Sequence, residues 1–194
     1  KSSTLYWPMF LSYAAGSIEA DGNEILLLDA PAMELELSDV LKKAEQFGAE
    51  AALLQTSTPS IHQDLLVARS LQERLPHLRI ILMGPHATAE PVECMEMEPA
   101  VDYIILGEAD RTATHLIRFL RGDSSFSSIQ DISGLAWRST RGIEITPEGP
   151  KIEDLDSLPW VSKVYKKHLF SVYRRYFYGA NLNPLVVILA GRGC

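Results

Sequence analysis

Hydroxyl groups crowd one short stretch of this chain. In QTSTPS, residues 55–60, Thr56, Ser57, Thr58 and Ser60 follow an apolar run and precede an amphipathic one. Such a cluster at a strand end, beside a helix N-terminus, suits polar ligand groups such as amides or a phosphate. A helix-capping turn would use one of the same hydroxyls, and the residue types leave both uses open. A second loop, MGPHATAEP at 83–91, carries Gly84, which lets a backbone approach something closely, and Pro85, which stiffens the turn. His86 in that loop can donate to a ligand or coordinate a metal, although a lone loop histidine often does neither. A third loop, LGEAD at 106–110, joins Gly107 to Glu108. The Glu108 carboxylate can accept from hydroxyls or amides, or it and Asp110 can simply complement the dipole of the next helix.

The flanking patterns bring these loops to one place. PMFLSYAAGSIEADGN, starting at Pro8 in a first-turn position and stopping at Gly22-Asn23, predicts a helix with Leu11, Ala14, Ala15 and Ile18 on one face. EILLLDA (24–30) predicts a buried strand. SDVLKKAEQFG predicts a helix from a Ser38 cap to a Gly48 stop. Strands follow at 49–56, 78–84 and 101–107. Helices are predicted at 60–76, ended by Pro76, at 91–98, and at 110–122 with an Asp110 cap and a Gly122 stop. Repeated strand–helix alternation with continuous apolar strands means a parallel sheet covered on both faces, an α/β doubly wound architecture. In such sheets ligands sit at the carboxyl ends of the strands, where all three loops fall. The opening helix has no strand before it, so the first strand of the unit is expected to be absent or to lie upstream of residue 1. Beyond Gly122 come a polar linker, a β-hairpin over 132–147 around Thr140-Arg141-Gly142, a Pro-containing connector and a basic, aromatic stretch of unassigned structure. A closing strand is expected in LVVILAGRGC. The expected domains are 1–125, 126–180 as hairpin and linker, and 181–194 as the start of something further.

Composition narrows the classes. The 194 residues are 46% hydrophobic and 22% charged, with a net charge of −7, which is ordinary for a globular chain and argues against a nucleic-acid partner. Two distant cysteines, Cys94 and Cys194, do not make a disulfide framework and point to a reducing, cytoplasmic setting. No apolar run reaches the length of a membrane span. There is no G-x-G-x-x-G, no Walker motif and no nucleophile–base set.

The order of the pieces resembles the N-terminal half of cobalamin-binding radical SAM enzymes, a family that includes methyltransferases and anaerobic magnesium-protoporphyrin IX monomethyl ester cyclases. The similar segments run in order along the chain: WPMFLSYAAG, a strand ending at Asp29, TSTPS, MGPHAT, VDYIILGEAD, GLAWR, LDSLP and AGRGC. The resemblance implies a Rossmann-like, flavodoxin-like domain with strand order 2-1-3-4-5, holding a corrinoid over the strand ends. The matching positions are Thr56, Ser57, Thr58, Ser60, Gly84, Pro85, His86, Gly107 and Glu108. Two departures stand out. Met83 replaces the first glycine of the family's G-G pair, and the D-x-H-x-x-G motif that supplies a histidine to cobalt occurs nowhere in the chain, with His62 and His86 in the wrong places to replace it. Cobalamin is therefore expected without a protein histidine ligand. The alternative is a Rossmann-like structural or interaction domain that no longer binds it. Cys194 aligns with the first of three cysteines that hold a [4Fe–4S] cluster beside S-adenosylmethionine in such enzymes. One thiolate cannot hold a cluster, so cluster, S-adenosylmethionine and radical chemistry are expected only with a further barrel domain. A free-standing α/β enzyme is disfavoured by the lack of any catalytic constellation.

Overall fold

A computed structural model describes residues 5–177 and 184–192. Strands β1 (Ala51–Gln55), β2 (Arg79–Met83) and β3 (Tyr103–Ile105) are parallel neighbours, with Leu53 opposite Ile81 and Leu82 opposite Ile104. The hairpin extends this sheet. Strand β4 (Leu135–Ser139) pairs antiparallel with β3, and β5 (Gly142–Ile145) with β4, giving the order β1-β2-β3-β4-β5. The helices are α1 (Met9–Ala20), α2 (Ala30–Met33), α3 (Leu37–Phe47), α4 (Ile61–Arg74), α5 (Pro85–Ala89), α6 (Pro91–Met97), α7 (Ala109–Leu120) and α8 (Val161–Val164). A π turn over Tyr165–Leu169 and a 3-10 turn over Phe170–Arg175 continue α8. No helix among the described residues is long and apolar enough to cross a membrane.

The alternation of side chains along a strand divides the core. Ile80, Leu82 and Ile104 pack with Leu65, Ala68 and Leu71 of α4 and Met95 of α6. Ile81, Met83 and Ile105 point the other way, onto Ala14 of α1 and Ala109, Ala113 and Leu116 of α7. Strands buried on both faces must be apolar there, which is why residues 80–83 read as an unbroken run after the exposed Arg79. Full burial of each such Ile or Leu contributes about 1.5–3 kcal/mol. A third cluster joins Trp7, Ala15, Leu27, Val161, Tyr165, Leu169 and Tyr176.

Several expectations are corrected. Residues 24–30 form no ladder, and α2 begins at Ala30. Leu27 buries in the third cluster instead, and Asp29 accepts from Ala32 N at 3.2 Å and from the Tyr176 hydroxyl at 2.8 Å. The closing strand forms no ladder over residues 184–192 either. Side chains reach its carbonyls: Trp7 Nε1 donates to Leu185 O at 2.7 Å and the Tyr165 hydroxyl to Val187 O at 3.2 Å. Helix α3 starts at Leu37, because Glu36 and Asp39 form a capping box, so Ser38 is not the cap. Pro8 occupies the cap position of α1, one residue before the first turn. Glu108, and not Asp110, precedes the first turn of α7. Cys194 lies outside the described residues.

Candidate functional site

The three loops leave the carboxyl ends of β1, β2 and β3 side by side and are stitched to one another. Thr56 is 1% exposed. Its N–H and its hydroxyl both donate to Met83 O, at 2.7 and 3.0 Å. This convergence explains Gly84, which has φ +111°; a Cβ there would stand 2.3 Å from Thr56 O. The close approach that Gly84 allows is therefore to the neighbouring loop's backbone. Pro85 opens α5 at a position whose N–H would be unpaired anyway. Ser57 and Ser60 close on themselves. Their hydroxyls are 2.7 Å apart, Ser60 Oγ donates to Asp64 Oδ2 at 2.7 Å, and Ser57 N donates to Ser60 Oγ at 3.3 Å. Burial raises the Asp64 carboxyl above its ordinary range, against the opposing pull of these bonds. Of the four clustered hydroxyls, three serve the fold.

What remains is an outward ledge. Thr58 is exposed, and its Oγ1 lies 3.3 Å from His86 Nδ1, bridging the first two loops. Gly107 N donates to Thr88 Oγ1 at 3.1 Å, bridging the second and third. Gly107 has φ +69°, and the nearest atoms to a Cβ there would be those of the Glu148 carboxyl group, at 3.3–3.4 Å. The Glu108 side chain is 46% exposed. Thr58, Gly107 and Glu108 are exposed and His86 half-buried, whereas Thr56 is buried and Ser57, Ser60 and Gly84 are half-buried.

Two groups are invisible to motif reading. Thr88 looks like helix filler until its hydroxyl is seen on the Gly107 amide. Arg192 looks like a loop residue, yet its guanidinium forks onto Asp110, Nη1 to Oδ2 at 2.7 Å and Nη2 to Oδ1 at 3.1 Å. It also lies 4.4 Å from the centre of the Tyr13 ring and 3.6 Å from Glu108 Oε2. Burial alone would lower the Arg192 pKa, but the Asp110 hydrogen bonds outweigh it and the group stays above its usual value. The AGRGC segment is visible in the sequence; the partner of Arg192 at a separation of 82 residues is not.

The residues present fit a corrinoid edge. Its amide side chains need mixed donors and acceptors, which the Thr58 hydroxyl, the His86 ring and the Glu108 carboxylate could supply. Close to this end of the sheet, Leu11 N donates to Gln55 Oε1 at 3.1 Å, and the hydroxyl of the next residue, Ser12, is buried with no hydrogen-bond partner among the described residues. An orphaned buried hydroxyl costs roughly 1–3 kcal/mol. Among the described residues no three His, Cys, Asp or Glu side chains are placed to hold a metal ion. His62 is exposed on α4. Cys94 is fully buried, and burial, then the Glu93 and Glu90 charges, push its thiol up to about 11.

Known proteins resemble this chain in sequence and fold. The chain is 24% identical over 187 residues to an uncharacterized methyltransferase of Pyrococcus horikoshii, covering 96% of this chain and 38% of that protein. It is 28% identical over 193 residues to the anaerobic magnesium-protoporphyrin IX monomethyl ester cyclase of Synechocystis sp., covering 96% of this chain and 36% of that protein. It therefore spans just over a third of the length of these relatives. The fold matches the cobalamin-dependent S-adenosylmethionine radical enzyme OxsB, solved with aqua-cobalamin and S-adenosylmethionine bound, with a TM-score of 0.72 at 11% identity over 84% of this chain and 24% of that one. The model of the B12 binding domain matches residues 3–117, a span that holds all three loops, and the chain belongs to that family.

Proposed function

We propose that this chain holds cobalamin on the ledge formed by Thr58, Pro85, His86, Gly107 and Glu108, as the corrinoid module of a radical SAM enzyme. The observation that carries the reading is the stitching of three strand-end loops into one outward surface, through Thr58–His86 and Thr88–Gly107. Thr58 and Glu108 would engage corrin amides, and Gly107, with no side chain, would let the ring edge lie against the backbone. Thr56, Ser57, Ser60 and Gly84 hold that surface in shape. In this reading cobalamin would be held without a protein histidine ligand. When bound, cobalamin supplies a methyl carrier or a centre that tunes a substrate radical. The reactions of the relatives suggest a methyltransferase or a cyclase for the whole protein. The cluster, S-adenosylmethionine and a first cluster thiolate from Cys194 belong to a barrel joined to this module.

Hydroxocobalamin titrated into the 194-residue chain tests the reading. Co-elution on gel filtration and a shift of the corrin absorption bands are expected, and both should weaken in Thr58→Ala and Glu108→Gln. Neither signal at saturating corrinoid would overturn cobalamin binding and leave a packing domain.

A further inference from the structure

We propose that Arg192 is a positioning residue that couples the third cofactor loop to the segment 184–192, so that corrinoid binding and the seating of that segment are linked. The coupling half rests on the cobalamin reading above; the positioning half does not. The Arg192 side chain is 10% exposed and that of Asp110 5%. Both charges are therefore nearly out of water, where each is costly without the other and strongly held with it. The fork geometry fixes direction as well as distance, which a lysine could not do. Tyr13 closes the guanidinium's face.

The rest of the segment has no ladder to hold it. Leu185 and Val187 accept single bonds from Trp7 and Tyr165 at their carbonyls and Val187 packs against the third cluster, while Val186 and Ile188 stay 53% and 61% exposed. Arg192 is thus the charged pin at the far end of a stretch held without a ladder. Its anchor, Asp110, is two residues beyond Glu108 and three beyond Gly107, the proposed corrinoid contacts. Glu108 stands at 3.6 Å from the same guanidinium nitrogen. A ligand that orders residues 107–108 must also order Asp110, and hence the pin. By reciprocity, seating the pin must favour the ligand by the same factor.

Hydrogen–deuterium exchange of the 194-residue chain, followed by mass spectrometry on peptides covering 185–192, tests both halves. Without corrinoid, Asp110→Asn should speed exchange there by about tenfold or more, the factor for losing ~1.4 kcal/mol of local protection, while β2 and β3 keep their rates. Arg192→Lys, which keeps the charge and loses the fork, should fall between. Unchanged exchange at 185–192 in both variants overturns the positioning role. Equal acceleration in β2 and β3 also overturns it, in favour of a general stabilising pair. With saturating hydroxocobalamin, the wild type should slow at 185–192, and Asp110→Asn should bind corrinoid more weakly by the factor of that slowing. Binding without any change at 185–192 overturns the coupling. No binding at all overturns the cobalamin reading and the coupling together, while the corrinoid-free comparison still decides whether Arg192 positions the segment.

Discussion

Replacing Gly84 with alanine should cost far more than the same change at Gly107, although both glycines sit at strand ends in the same sheet. At Gly84 the backbone has φ +111° and ψ 175°, a region that side-chain-bearing residues avoid at about 1–3 kcal/mol. The new Cβ would also stand 2.3 Å from Thr56 O and 3.1 Å from Thr56 N, both backbone atoms. Relief requires moving Thr56 off Met83 O, where two hydrogen bonds converge, at about 1 kcal/mol each. The combined loss is about 3–5 kcal/mol. At Gly107 the left-handed conformation costs about 1–2 kcal/mol. There the nearest atoms to the Cβ are the end of the flexible Glu148 side chain. Urea denaturation of the two variants and the wild type, with unchanged m-values, measures the difference. Hydroxocobalamin titration of Gly107→Ala should show an affinity loss of tenfold or more in a folded protein. Gly84→Ala within about 1 kcal/mol of wild type, or Gly107→Ala losing as much as Gly84→Ala, would refute the assignment of Gly84 to the support and Gly107 to the ledge.

The two neighbouring threonines should behave oppositely. Thr56→Val should lower stability by about 1 kcal/mol and leave corrinoid affinity unchanged, whereas Thr58→Ala should leave stability within about 0.5 kcal/mol and weaken affinity roughly fivefold, both readable from paired melts and titrations. Hydrogen bonding from Arg118 holds the Asp21 carboxyl below its ordinary range. Its folded pKa being lower than the unfolded value, the stabilisation is present above about pH 3.9 and disappears as pH falls through the folded value. Asp21→Asn should therefore melt lower than wild type at pH 7, by roughly 0.5–1 kcal/mol given the 42% exposure of Arg118, and the difference should shrink as pH falls below the ordinary carboxylate range. Cys94, buried with its thiol raised to about 11, should resist alkylation at pH 8 until denaturant is added, as peptide mapping would show.

The sequence alone determined the strand–helix alternation, the two-faced parallel core and the three loops that matter. Each is a local property: residues 80–83 are apolar at every position because both faces are covered, and Gly48 stops its helix because only a left-handed residue turns the chain there. The B12 binding domain family was legible for the same reason, since its short segments recur in order along one chain. Tertiary structure decided which residue of each loop does what. Thr56 and Thr58 are chemically identical and two positions apart. Only the Met83 carbonyl beneath one, and the His86 ring beside the other, separate support from ledge. Gly84 announces a close approach in the sequence, but only the folded chain shows that the approaching atom is Thr56 O. The segment 24–30 reads as a strand, yet strand character is conferred by a ladder partner, and among the described residues β1 pairs with β2 alone. Arg192 and Asp110 are ordinary charges until folding brings them together across 82 residues and removes the water that would otherwise screen them.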